Sequence, residues 1–246
     1  YMQPCITQEG YGIADFYGLQ SEGIYENWEE INNGPKMPYT VRPGDFKFKD
    51  VNGDGFIDNK DYIHLGSPLP KMTYGFYLNG SIGIFDYNIS FQGSYGNKVF
   101  NALRYYTDGN GTYNYSDRRL NAWSEENQSS SEPRLGTSSQ NWYFPSSEYV
   151  ENASYLKFKD FVIGATMPEK ITNKLKIKKL RIYAQIQNIY TWTNYSGYNP
   201  EVGQLTGTNN SQKTNTLLGV DLGTYPHART VFGGMSVRFD KGRNWW

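Results

Sequence analysis

"FDYNISFQGSY", residues 85–95, alternates without a break. Phe85, Tyr87, Ile89, Phe91, Gly93 and Tyr95 fall on one side of an extended chain, while Asp86, Asn88, Ser90, Gln92 and Ser94 fall on the other. A period of two belongs to a β-strand with unlike faces; an α-helix would scatter these apolar residues around its circumference. The stretch before it behaves alike, with Tyr74, Phe76 and Leu78 opposed to Thr73, Gly75, Tyr77 and Asn79. Downstream, Leu180, Ile182, Ala184 and Ile186 alternate with Arg181, Tyr183, Gln185 and Gln187. Val231, Gly233, Met235, Val237 and Phe239 alternate with polar or small residues. In "SYLKFKDFVIGATMP" the apolar phase slips around Asp160, which predicts a bulge inside that strand. Five strands are therefore expected, at 73–82, 85–96, 154–166, 179–192 and 227–239.

Each matches or slightly exceeds the roughly 9–11 residues that a tilted strand needs to cross a bilayer. The connections alternate in length: a turn at 83–84, a long loop 97–153, the shorter "PEKITNKLKIK", and a long loop 193–226. With strands running up and down, the long connections gather on one side and the short ones on the other, as in outer-membrane barrels. A soluble β-sandwich with one wet face per sheet would alternate too. The barrel is favoured because the outward set is aromatic and aliphatic with almost no charge. Tyr74, Tyr95, Tyr190, Trp192 and Phe239 also recur at strand ends, like an interfacial girdle. Five strands cannot close such a barrel, and open edges in lipid leave backbone groups unpaired. The expected fold class is all-β, with antiparallel up-and-down strands at 73–239 forming part of a larger transmembrane β-barrel with long extracellular loops.

Composition narrows the function classes. Lysine plus arginine and aspartate plus glutamate are balanced at 24 each, so no net field draws the chain to nucleic acid. Aromatic residues make up 17%, with 22 tyrosines, which suits a boundary between water and an apolar phase. Cys5 is the sole cysteine, so an internal disulfide or a cysteine zinc site is ruled out. His64 and His227 fit no nucleophile or metal spacing. No apolar run reaches the roughly 18 residues of a membrane helix, and "YMQPCITQEG" lacks the regions of a signal peptide. Asn27 as N-cap, Glu29 and Glu30 in the first turn and Gly34 past the end predict a short helix. "KVFNALRYY" and "SDRRLNAWSEE" are further helical candidates. The tracts "SEENQSSSEPRLGTSSQN" and "GQLTGTNNSQKTN" are expected to be exposed and mobile. The acid pairs Glu29/Glu30 and Glu125/Glu126 lie in expected solvated turns, so no enzyme activity is assigned.

The segment "RPGDFKFKDVNGDGFIDNKDYIHLGSPLPKMTYGFYLNGSIGIFDYNISFQGSYGNKVFN" resembles the late-barrel signature of SusC/RagA-type TonB-dependent outer-membrane transporters. "YVENASYLKFKDFVIGATMP", "LRIYAQIQNIYTWTNYSGYNPEVG" and "GVDLGTYPHARTVFGGMSVRF" match later family phrases in order, and "DFYGLQSEGIYENWEEI" matches the phrase before them. The resemblance implies the C-terminal part of a large, 22-stranded barrel, roughly the size at which a lumen holds a plug. It further implies bacterial outer-membrane localisation in Bacteroidetes and import of glycans or oligopeptides. The implied partners are a plug and other strands in the remainder of the chain, a SusD-like surface lipoprotein, TonB reached through the upstream part, and the lipid bilayer. Such barrels commonly stop at an aromatic residue like Phe239, whereas this chain continues into a tail, "DKGRNWW", ending at residue 246.

Residues 1–72 are then an extracellular segment, and within it "DVNGDGFIDNKD", residues 50–61, has the spacing of a calcium loop. Asp50, Asn52, Asp54, the Phe56 carbonyl, Asp58 and Asp61 occupy positions one, three, five, seven, nine and twelve, with Gly55 at the sharp turn. Asp61 stands where glutamate is usual, a shorter arm that weakens the site. A structural Ca2+ is expected there, against the plainer reading of an Asp/Asn/Gly turn without metal. Tyr105, Tyr106, Trp123, Trp142, Tyr195 and Tyr198 are candidates for facing substrate or partner from the loops, or for packing within them. The alternative function is a soluble, calcium-stabilised carbohydrate-binding β-module.

Overall fold

The computed structural model describes residues 3–109, 114–128, 130–136, 141–142, 144–203 and 217–239. The tail 240–246 and nearly all of the 203–215 tract lie outside the described residues. In chain order, β1 (Cys5–Ile6), β2 (Asp15–Gly18) and β3 (Ser21–Ile24) precede helix α1 (Trp28–Asn33), β4 (Phe46–Phe48) and β5 (Ile63–Gly66). Next come β6 (Met72–Ile82), β7 (Phe85–Tyr95), β8 (Lys98–Asn101), β9 (Val150–Asn152), β10 (Tyr155–Thr166), helix α2 (Glu169–Lys174), β11 (Lys179–Thr193), β12 (Val220–Asp221) and β13 (Thr230–Arg238). They divide into two units: residues 71–95, 154–194 and 226–246, and residues 1–70, 96–153 and 195–225.

The first unit is one antiparallel sheet in the order β13-β11-β10-β7-β6, built from the five strands that alternation marked. Cross-strand register keeps the two residue sets apart. On the apolar face Phe76 opposes Phe91, which stacks on Phe158 at 4.7 Å, and Ile182 opposes Met235. The polar face carries Asp86, Asp160, Arg181 and Gln185 in matching register. Large side chains lie across glycines of the neighbouring strand: Tyr74 over Gly93, Tyr87 over Gly80, Tyr183 over Gly234. At Gly93 any Cβ would sit 2.5 Å from the Tyr74 ring, so the tyrosine lies flat only because glycine is opposite. The expected bulge is present, since register shifts between Phe158 and Asp160 against both neighbours. A second irregularity, on β11, accompanies it: Asn188 has φ 53°, and its amide donates to the Ala228 carbonyl at 2.9 Å.

The second unit gathers the remaining segments around small sheets, β1-β2-β5, β12-β8-β9 and β3-β4. One core joins Phe16, Phe100, Trp142, Tyr149 and Val220; another joins Leu19, Phe46, Phe48, Ile57 and Phe144. Helix α1 is capped as its sequence dictates, with the Asn27 carboxamide oxygen accepting from the Glu30 N–H at 3.0 Å. "KVFNALRYY" corrects the helical expectation at its start. Val99 and Phe100 are buried in strand β8 between β9 and β12, where branched and aromatic side chains pack well, and the helical part begins at residues 103–104 and runs into a π turn at Tyr105–Gly109. "SDRRLNAWSEE" forms a short 3₁₀ turn at Asp117–Asn121.

Candidate functional site

The sheet presents two chemically distinct faces. Across the polar face the Arg181 guanidinium spans Gly164 to reach Asp86, with Nε 2.9 Å from Oδ2 and Nη2 on Oδ1. Its charge also lies 5.0 Å over the Tyr183 ring. The Gln185 amide donates to Asp160, and the Lys159 ammonium donates to the Gln92 carboxamide at 2.9 Å. These partners stand on different strands, so the polar face is knitted crosswise to the ladder. The opposite face has no such partners to offer. Phe76 (56% exposed), Phe85, Ile163, Ile182, Val231 and Met235 (72%) all stand open on it. At one end of this face Tyr74, Tyr95, Leu156 and Trp192 line a shallow groove of about 270 Å³, and the Tyr74 hydroxyl donates to the Tyr155 carbonyl at 2.9 Å.

The 50–61 loop folds around its own carboxylates. Asp50 accepts from the Gly53 and Gly55 N–H groups at 2.7 and 2.8 Å, and the two glycines take φ of 74° and 81°. Asn52 accepts from the Asp54 N–H, and Asp54 from the Phe56 N–H. Asp58 and Asp61 form a capping box on the turn that follows. Asp61 is fully buried, and it accepts from the N–H groups of Val51 and Asp58 at 2.9 Å and of Asn52 at 3.4 Å. Beside it, Ile57 is buried in the core of Phe46 and Phe48. The Lys60 ammonium sits 3.8 Å from Asp54 and 3.9 Å from Asp58. The six spaced residues thus fall into two sets. Asn52, Asp54 and Phe56 are exposed and Asp50 and Asp58 half-buried on an outer rim, and a cation already rests near two of them; Asp61 is turned inward as a buried acceptor for the loop's own N–H groups. Among the described residues no three His, Cys, Asp or Glu side chains gather around a metal-sized point.

The loop aromatics also divide. Trp142 and Tyr195 are buried, so they serve the interior of their unit and not a ligand-facing surface. Tyr105 packs half-buried against Trp142, and Trp123 is half-buried against Gly44. Tyr106 (39%) and Tyr198 (67%) are exposed. Sequence reading missed what holds these loops: a buried polar network. Arg104 bonds Asp108 at 3.0 Å and lies 3.6 Å from Glu151; Asn101 bonds both Glu151 and Ser196; the Tyr195 hydroxyl donates to Asp221 at 2.6 Å. Burial works against the charge on Arg104, but the Asp108 hydrogen bond and the nearby acids prevail and raise its pKa. Burial likewise opposes ionisation of Asp108, yet Ser116 and Arg104 hold it below the usual carboxylate value. Burial, then the bond to Asp221, pushes the Tyr195 hydroxyl up. Arg104 and Asp108, four apart, had a local signal; Tyr195 and Asp221 are 26 apart, and Asn101 lies 50 and 95 residues from Glu151 and Ser196.

No protein-family model matches the chain. It is 32% identical over 237 residues to TonB-dependent receptor P3 of Formosa agariphila, a match covering 96% of this chain and 23% of that protein. It is 29% identical over 235 residues to TonB-dependent receptor SusC of Bacteroides thetaiotaomicron, covering 94% of this chain and 20% of that one. Among solved structures, the RagAB peptide transporter superposes with a TM-score of 0.72 at 23% identity, over 96% of this chain and 24% of that chain. The same importer in its closed-closed state gives 0.69 at 24% identity. The chain spans about a quarter of the length of the relatives it matches. The fold is therefore that of a stretch of transporter barrel, which accounts for a sheet with two edges left open among the described residues.

Proposed function

We propose, from the premise that this chain is a segment of a SusC- and RagA-type TonB-dependent transporter, that it builds part of the barrel wall and loops of an outer-membrane importer of large nutrients, glycans or oligopeptides. The observation that carries this reading is the five-stranded sheet with a polar, cross-linked face and an apolar face left open. In water an apolar face of that breadth drives association, whereas lipid is its natural neighbour. A soluble calcium-stabilised sugar-binding module would have to bury it.

The polar face lines the lumen in this reading, and the loop unit meets a SusD-like lipoprotein through exposed groups such as Tyr106, Tyr198 and Tyr225. TonB acts through the part of the receptor outside this chain. The 50–61 rim takes a structural Ca2+ through Asp50, Asn52, Asp54, Asp58 and the Phe56 carbonyl, with Lys60 displaced; the ion would tie the loop by oxygen coordination. Growth on a large glycan or oligopeptide, compared with growth on its monomers, tests the function. Removing the receptor gene should abolish the first and spare the second. Equal growth on both would refute import of large nutrients.

A further inference from the structure

Charge is balanced over the whole chain but not along it. From Lys170 to Arg181, six of twelve residues are basic and none is acidic. Arg181 is committed to Asp86, whereas Lys170, Lys174 and Lys176 are exposed and form no ion pair among the described residues. They belong to α2 and the turn that ends it. That turn is ordered: the Lys176 N–H donates to the Asn173 carbonyl and the Ile177 N–H to the Thr172 carbonyl, both at 3.1 Å, a closure of Schellman type. The closure places Lys176 at φ 54°, a conformation that glycine adopts without strain. A charged residue therefore stands where the backbone favours glycine. Ile171 and Leu175 are 46% and 57% exposed and, four residues apart, share one side of the helix. Buried Thr172 takes the inner side. The connection joins β10 to β11, whose apolar residues Ile163 and Ile182 are open as well.

Apolar side chains flanked by lysines on a short helix suit a membrane interface, where the apolar pair enters the acyl boundary and the ammonium groups meet anionic headgroups. We propose that the α2 connection is a headgroup clamp for an anionic glycerophospholipid of the bilayer around the barrel. Lys170, Lys174 and Lys176 hold the phosphate, and Ile171 and Leu175 lie against the acyl chains. The charge complement selects an anionic over a zwitterionic lipid. This rests on the membrane reading of the sheet.

The test uses the full-length receptor in vesicles of phosphatidylethanolamine with phosphatidylglycerol, the lipids kept on extraction being counted by native mass spectrometry. The wild type should retain phosphatidylglycerol in excess of its bulk share. The triple variant Lys170→Gln/Lys174→Gln/Lys176→Gln should lose that excess, since each lysine near an anionic surface is worth about fivefold in binding. The triple arginine variant should keep it. Heat-dependent gel mobility checks that each barrel is folded. A parallel arm with lipid A should show no lysine-dependent excess. An unchanged phosphatidylglycerol excess in the glutamine variant overturns the proposal, as does an excess confined to lipid A, or loss of a co-purifying protein with the lipid count unmoved. Failure of every form to enter vesicles would instead refute the membrane reading.

Discussion

A charge placed on each side of β11 measures which side meets lipid. Ala184 lies exposed on the apolar face between Ile163 of β10 and Gly233 of β13, and its neighbour Gln185 lies on the polar face, bonded to Asp160. Tyr190, the first aromatic of the end girdle, is six residues further along. At about 3.3 Å per residue and a tilt of about 40°, that run descends roughly 15 Å, near the middle of an apolar band about 25 Å tall. Arginine at 184 should therefore bear almost the full mid-bilayer cost, about 2–4 kcal/mol. Arginine at 185 would stand in a watered lumen beside a carboxylate and should change stability by less than about 1 kcal/mol. Equilibrium urea unfolding of the full receptor in vesicles, followed by tryptophan fluorescence and gel mobility, gives both numbers. If Gln185→Arg costs as much as Ala184→Arg, the two faces do not meet different media and the wall assignment fails.

Four further outcomes are expected. Asp61→Ala leaves the part-buried Val51 and Asp58 N–H groups without their acceptor, each at up to about 1–3 kcal/mol, so hydrogen exchange across 50–61 should rise with or without calcium. At the same loop Lys60→Ala frees Asp54 and Asp58 and should tighten calcium binding in titration calorimetry; no calcium heat with either protein would end the calcium proposal. Burial, aided by the charge of Asp15, pushes the Cys5 thiol up to about 12, so almost no thiolate exists at pH 8. Alkylation there should run at least roughly a hundredfold slower than for an open cysteine, and a rate equal to that of a free thiol would show the site to be open. Gly93→Val would push a Cβ against the Tyr155 carbonyl at 2.4 Å and lift Tyr74 off the sheet, costing about 1–3 kcal/mol in the same urea assay.

The strands were legible because alternation records a contact the chain makes with its nearest neighbours: β7 pairs β6 through a two-residue turn, and each face stays in register for eleven residues. The slip at Asp160 was legible for the same reason, since an inserted residue must exchange the faces. Asn188 was not, because "QNIYTWT" continues with residues at home on either face of a girdle, and only its positive φ exposes the irregularity. The loop unit had no such record. Its partners, Asn101 with Ser196 and Arg134 with Asp45, are 95 and 89 residues apart, so no local period announces them. Trp142 and Tyr195 read like surface aromatics because polar residues precede each of them, yet Phe16, Tyr149 and Asp221 arrive from elsewhere to enclose them. The 50–61 loop shows the same limit at atomic scale. Spacing tells which oxygens could converge on a cation, but not which are already committed to backbone N–H groups. Burial of Ile57 in the Phe46 and Phe48 core draws the end of the loop inward, and with it Asp61 becomes an acceptor for the chain itself.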